Sequence, residues 1–172
     1  MTIRVGSHVA GRGRLSGERF YLPSQRRGEL VSRSPVDPTE VIGSFPFGVE
    51  DVTEAVVAAA RVARPWGQEE LSTRLRTMAS LRTELVRASA ERAATGSRET
   101  GRPAWECQRE AQGLVARLDQ MQADAPAVLG DRTFDALPAR VRSLPLGVVA
   151  VIGPAMLPLA TSHTHIVAAP LA

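Results

Sequence analysis

Three different spacings of apolar residues divide the chain. Up to residue 48, apolar and β-branched residues come in short runs between turn formers. Phe20 to Leu22, Glu29 to Ser32 and Glu40 to Phe45 are expected to be short strands. Between the last two lies Ser34-Pro35-Val36-Asp37-Pro38-Thr39-Glu40. Its prolines fix φ and its aspartate can bond back to the backbone, so it is expected to turn. From Val49 the spacing lengthens to a helical one. Val49, Val52, Val56, Ala59, Ala60 and Ala63 fall on one face, behind the acidic first turns of Glu50, Asp51 and Glu54. Pro65 and Gly67 are expected to close this helix. Leu71, Leu75, Met78, Leu81 and Leu85 then form the apolar stripe of a second helix, with Gly96 as its expected stop. After Glu99-Thr100-Gly101-Arg102-Pro103, a third helix is expected to bury Trp105, Leu114, Leu118 and Met121, with Pro103 in its first turn.

Beyond a polar break at Gly130 to Asp135 the pattern changes again. Arg140-Val141-Arg142 is β-like, and Leu146 to Ile152 is a continuous apolar run ended by Gly153-Pro154. Such a run fits a strand covered on both faces of a parallel sheet. Leu159 to Ala172 should then begin the crossover helix that a parallel strand requires. The expected fold class is α/β: a β-hairpin region over 1–48, a helical part over 49–138, and over 139–172 the first strand of a Rossmann-like doubly wound sheet with the start of its crossover. A single strand with half a crossover is an unfinished unit, so the 172 residues are expected to be a truncated piece of one domain.

Composition narrows the function. Hydrophobic residues make up 44% and charged residues 23%, ordinary for a globular protein. The pI near 10.3 overstates basicity, because every basic residue is arginine and the formal charge is only +3. The arginines are spread along the chain with acidic neighbours, as in Glu69 to Arg76 and Arg98 to Glu110. Solvated helix faces are expected rather than a nucleic-acid surface, which would cluster its basic residues. Ser143 to Ala172 carries no acidic or basic side chain, but six glycines and prolines and two histidines interrupt it. A membrane span is therefore not expected, since it needs about 20 predominantly apolar residues with intact backbone bonding. The single cysteine excludes an internal disulfide, and together with the lack of a signal-peptide core points to the cytoplasm.

Several stretches, taken in order, resemble the aldehyde dehydrogenase superfamily: SPVDPTEVIGSFP followed by DVTEAVVAAARVARPW, then ETGRPAWE, and finally LPLGVVAVIGPAMLP. Trp105-Glu106, His165-Ile166-Val167 and Leu171-Ala172 resemble its succinylglutamate-semialdehyde branch most. The resemblance implies part of the cofactor-binding domain of an enzyme that uses NAD or NADP to oxidise an aldehyde, such as an amino-acid-derived semialdehyde, to a carboxylate. A homo-oligomer, or association with an intact dehydrogenase, is the implied assembly. The family's cysteine nucleophile and glutamate base have no counterpart in these residues, so no catalytic residue is assigned and the chain alone is expected to be inactive. The resemblance places Ile152, Gly153, Pro154, Ala155 and Met156 at the cofactor. It puts Met156 where the family has an asparagine that donates to the oxyanion, and Ala155 where it has a tryptophan. A thioether cannot donate a hydrogen bond. Two further functions stay open: a non-catalytic protein that docks onto an intact dehydrogenase, and a weak nucleotide-binding module.

The remaining tempting residues have plainer explanations. Cys107 lies on a helix away from the family's nucleophile position and is expected to be structural. His163 and His165 fall on different sides of a helix, and with His8 the only other histidine no metal site is expected. His165 is expected to serve packing or substrate entry. Gly11-Arg12-Gly13-Arg14 lacks the strand-loop-helix context of a phosphate loop. Glu99 and Glu106 have neighbouring arginines and are expected to be helix-surface residues.

Overall fold

A computed structural model describes residues 3–4, 27–134 and 137–172. The expected strand at Phe20 to Leu22 and the Gly11 to Arg14 segment lie outside those residues. Strands β1 (Ile3–Arg4), β2 (Gly28–Arg33) and β3 (Val41–Phe47) form a small sheet in the order β1-β3-β2. β2 and β3 pair antiparallel, Gly28 opposite Phe47 and Ser32 opposite Gly43. The register shifts beside Arg33, so that Ile42 is the extra residue, and its side chain is buried. The turn between them forms as expected: the Asp37 carboxylate accepts the Thr39 N–H at 3.0 Å and the Thr39 hydroxyl at 2.6 Å. β1 joins β3 in parallel.

Five helices follow: α1 (Val49–Gly67), α2 (Leu71–Arg87), α3 (Ser89–Thr100), α4 (Ala104–Leu129) and, after the hairpin of β4 (Arg132–Phe134) and β5 (Leu137–Val141), α5 (Ala160–Leu171). The core lies where α2, α4 and α5 meet, around Met78, Leu85, Leu114, Leu118, Val167 and Leu171. A second cluster of small residues, Ala93, Cys107 and Ala111, lets α3 and α4 approach closely. Arg82 on α2 clamps Asp119 on α4 through two bonds of 2.7 and 3.0 Å. Sheet and helices are tied by the Ser32 hydroxyl donating to Glu99 at 2.8 Å and by the Arg98–Glu40 ion pair at 2.6 Å.

The α/β class stands, and four details of the sequence reading are corrected. The valine stripe of α1 is not core: Val52 is 66% exposed, and the buried residue of the helix is Asp51, whose carboxylate accepts the Gly48 N–H at 3.0 Å. Glycine has no side chain to cap the helix itself, so Asp51 supplies the reciprocal half of a capping box. The second helix does not run to Gly96. It breaks at Ala88, whose N–H donates to the Glu84 carbonyl at 3.1 Å, and Arg92 folds back to donate to the carbonyls of Glu84 and Leu85 at 3.2 and 3.3 Å. Gly96 lies inside α3, facing Cys107, and the real stop is Gly101 at φ +70°, a left-handed C-cap whose N–H donates to the Ser97 carbonyl. Trp105 is 63% exposed, because α4 turns Cys107, Ala111, Leu114 and Leu118 inward instead.

The largest correction concerns Leu146 to Ile152. These residues make no strand pairing, and Leu146 and Ile152 are 94% and 96% exposed. A parallel strand takes its hydrogen bonds and its cover from neighbouring strands, and none of β1 to β5 lies beside this run. Its start instead rests against the end of α1, with Pro145 against Gly67. Trp66 of α1 donates its indole N–H to the Pro170 carbonyl of α5 at 2.9 Å. The helix expected after this run does form, as α5.

Candidate functional site

The residues placed at the cofactor, Ile152 to Met156, are an exposed loop that enters α5. Its side chains are apolar or absent, so what it can offer a ligand is backbone N–H and C=O groups and an apolar surface. That composition supplies no side-chain donor to an oxyanion. A Cβ on Gly153 would overlap the Ser162 hydroxyl, so the loop is seated directly on the first turn of α5.

The seating is completed from α4. Arg102, the arginine of the Glu-Thr-Gly-Arg-Pro motif, donates to Glu106 at 3.0 Å, to Glu110 at 2.5 Å and to the Met156 carbonyl at 3.3 Å. The other oxygen of Glu110 accepts the backbone N–H groups of Leu159 and Ala160 at 3.1 and 2.9 Å. The side chains of Arg102 and Glu110 are only 13% and 5% exposed. Burial pushes the Glu110 carboxyl up, but the Ala160 N–H, Arg102 and the Leu159 N–H together outweigh it and hold it below the ordinary carboxylate value. Local structure explains why Arg102 points this way. Gly101 reverses the chain, the Ser97 hydroxyl donates to the Arg102 carbonyl at 2.7 Å, and Pro103 opens α4 so that Glu106 and Glu110 follow on one face.

Sequence reasoning read Glu106 as a helix-surface residue, and it does pair with Arg102 there. It missed Arg102 and Glu110 as partners of the loop. The i, i+4 spacing of Arg102, Glu106 and Glu110 was a visible signal for the ion pairs, though not for the loop 50 residues further on.

The other candidates stay apart from this loop. Cys107 is buried against α3, without the electropositive, accessible surroundings of a reactive thiol. His163 is buried under α4 and His165 is exposed on the other side of α5. Burial lowers the His163 pKa, a hydrogen bond to the Leu114 backbone opposes that, and the Arg92 charge adds to the lowering. Its Nε2 has no partner. Glu99 accepts the Ser32 hydroxyl, a structural role. Among the described residues no cluster of His, Cys, Asp or Glu could hold a metal ion, and no helix is long and apolar enough to cross a membrane. A groove of about 530 Å³ lies between Ala60, Arg64 and Gln68 of the α1 end and the Pro145–Val148 stretch. A smaller one of about 360 Å³ lies beside the clamp, between Glu110, Gly113 and Arg117 of α4 and Ala160, Thr161 and Thr164 of α5.

The sequence model of the aldehyde dehydrogenase family matches residues 21–172. N-succinylglutamate 5-semialdehyde dehydrogenase of Novosphingobium aromaticivorans is 35% identical over 150 residues, 85% of this chain and 31% of the relative. N-succinylglutamate 5-semialdehyde dehydrogenase 1 of Caulobacter vibrioides is 35% identical over 152 residues, 83% of this chain and 31% of the relative. Among solved structures, 1-pyrroline-5-carboxylate dehydrogenase from Thermus with bound NAD matches with a TM-score of 0.74 at 22% identity, over 84% of this chain and 29% of that one. Betaine aldehyde dehydrogenase from Staphylococcus aureus in complex with NAD+ matches with a TM-score of 0.79 at 20% identity, over 95% of this chain and 32% of that one. The chain thus spans about a third of the length of the relatives it matches.

Proposed function

Because the chain belongs to the aldehyde dehydrogenase family, we propose that its 172 residues contribute part of the cofactor-binding region of an NAD(P)-dependent enzyme that oxidises an aldehyde to a carboxylate. An amino-acid-derived semialdehyde is the substrate class, in keeping with the names of the relatives at 35% identity. One observation carries the cofactor assignment: the Ile152 to Met156 loop presents its backbone at the surface while Arg102 and Glu110 hold it in place. When bound, the nicotinamide cofactor would accept the hydride. Gly153 permits the loop's close seat on α5, Ile152 and Ala155 offer apolar contact, and Met156 adds no donor to an oxyanion.

In this reading these residues by themselves do not turn over aldehyde: the single cysteine, Cys107, is buried, and the Met156 side chain has no donor for an oxyanion. The setting is the cytoplasm, with the aldehyde as small-molecule partner in the longer family members. The test is titration of the purified chain with NAD and NADP up to millimolar concentrations, alongside aldehyde-dependent formation of reduced cofactor. Saturable binding without turnover is expected. No saturable signal for either nucleotide overturns the assignment, and turnover abolished by Cys107→Ala overturns the inactive reading.

A second reading has its own support. The exposed apolar run at Leu146 to Ile152 and the valine face of α1 suit a non-catalytic role in which the chain self-associates or docks onto an intact dehydrogenase. Light scattering, with and without a full-length relative, distinguishes the two. A monodisperse monomer that captures no dehydrogenase eliminates docking.

A further inference from the structure

A buried carboxylate is costly unless every direction around it is served. Glu110 meets that condition at a position of unusual meaning, the start of α5. The first N–H groups of a helix have no intrahelical acceptor and carry partial positive charge, and this is where exogenous anions are drawn. Here Leu159 and Ala160 already donate to one Glu110 oxygen, and Arg102 neutralises the other. Arg102 also reaches the Met156 carbonyl, while Gly153 is wedged against Ser162 on the same first turn. Helix start, loop and α4 are therefore one mechanical unit, with bonds between residues as much as 54 positions apart.

We infer that Glu110 is a built-in substitute for a bound anion at the start of α5, and that Arg102, anchored on Glu106 and Glu110, tethers the Met156 carbonyl, making both of them positioning residues for the loop at 153–158. The functional meaning of the tether rests on the nucleotide reading above; its geometry does not. Neither residue touches reacting atoms. They fix which backbone groups of the loop face outward and close the helix terminus to a phosphate.

The test uses the full chain and NMR of its backbone amides, with inorganic phosphate as the first probe. In the parent chain, phosphate is expected to cause no saturable shift at Leu159 or Ala160. In Glu110→Ala, where the terminus loses its anion and Arg102 keeps only Glu106, saturable shifts at those two amides are expected at millimolar phosphate. Glu110→Leu keeps comparable bulk without an acceptor oxygen and serves if the alanine variant does not fold. Unchanged Leu114 and Leu118 signals certify the core. Phosphate shifts in the parent, or none in a folded variant, overturn the substitution claim.

The tether is read from relaxation. Amides of Ala155, Met156 and Leu157 are expected near the rigid order parameter of about 0.85 in the parent and below about 0.6 in Arg102→Met. A mobile parent loop, or an equally rigid variant loop, overturns it. NAD then separates the two layers. Saturable shifts at Ile152 to Met156 that weaken roughly tenfold in Arg102→Met extend the clamp to the nucleotide. Equal affinity in both chains overturns the positioning role. No NAD response in the parent removes the nucleotide reading and leaves the clamp judged by phosphate and relaxation alone.

Discussion

Replacing Leu118 by alanine and, separately, Val52 by alanine sets two apolar stripes of similar appearance against each other. Leu118 is fully buried at the meeting point of α2, α4 and α5, among Met78, Leu85, Leu114 and Val167. Truncation removes roughly three methylene equivalents, worth about 2.5 kcal/mol in transfer free energy at ~0.8 kcal/mol each. The unfilled space left among the surrounding side chains adds about 1 kcal/mol or more, depending on how far they relax. A total near 3–4 kcal/mol is a large share of the ~5–15 kcal/mol that holds a domain folded. Val52, two-thirds exposed on α1, should cost no more than about 0.5 kcal/mol. Urea denaturation followed by far-ultraviolet circular dichroism measures both. At a slope of about 1–3 kcal/mol per molar urea, the Leu118→Ala midpoint should fall by roughly 1–4 M with the slope unchanged, and the Val52→Ala midpoint should barely move. Equal losses, or a larger one at Val52, would mean that the α1 face is core and that the helix packing described above is wrong.

Stability should also fall with acid in two stages. His163 has its pKa lowered in the fold, so the folded chain binds fewer protons than the unfolded one as pH drops below the ordinary value of 6.5, and stability present above that pH is lost on the way down through the lowered value. Glu110, also lowered, contributes stability above its ordinary 4.5 that disappears as pH falls through its folded value. Denaturation midpoints across this range should show both losses, and His163→Gln should abolish the upper one; an unchanged profile in that variant would clear His163 of the effect. Gly101→Ala forces a side chain into the left-handed region at φ +70°, with Pro35 3.0 Å from the new Cβ, and should cost about 1–2 kcal/mol in the same urea assay; a neutral result would disprove the strained cap. Cys107, 1% exposed, should react with a thiol reagent only as the chain unfolds, so rapid labelling in native buffer would contradict its burial.

Period and punctuation made the secondary structure largely readable. The β2–β3 turn, the starts of α1 and α2, and the buried Leu114 and Leu118 follow from rules that act within a few residues. Failures arose where a residue's meaning depends on something distant. Ala88 breaks a helix without glycine or proline, and the break is satisfied by Arg92 folding back on Glu84 and Leu85. Gly96 reads locally as a stop, yet it faces Cys107 across two helices. The valines of α1 and the run at Leu146 to Ile152 have the composition of buried surface, and composition does not disclose whether a covering element is there. For the loop, local sequence suggested its position before a helix, but not that its support comes from Arg102 and Glu110.

That support changes how the loop's order is to be understood. In a doubly wound sheet a turn after a strand is usually held from the strand side, because the strand is locked by its neighbours' hydrogen bonds. Here Leu146 to Ile152 makes no strand pairing, while the turn that follows is fixed at Met156 by Arg102, at Leu159 and Ala160 by the Glu110 carboxylate on α4, and at Gly153 by contact with α5. Glu110 is itself placed one turn before Leu114 on the helix that forms the core, so the loop takes its position from the most buried part of the chain. The turn's geometry is therefore a property of the helical layer and does not depend on the apolar run ahead of it being paired. Side chains at Ala155 and Met156 can vary without loosening the loop, since the clamp acts through backbone groups. Under the proposed nucleotide reading, those side chains would decide what a ligand meets there, and Arg102 and Glu110 would decide where.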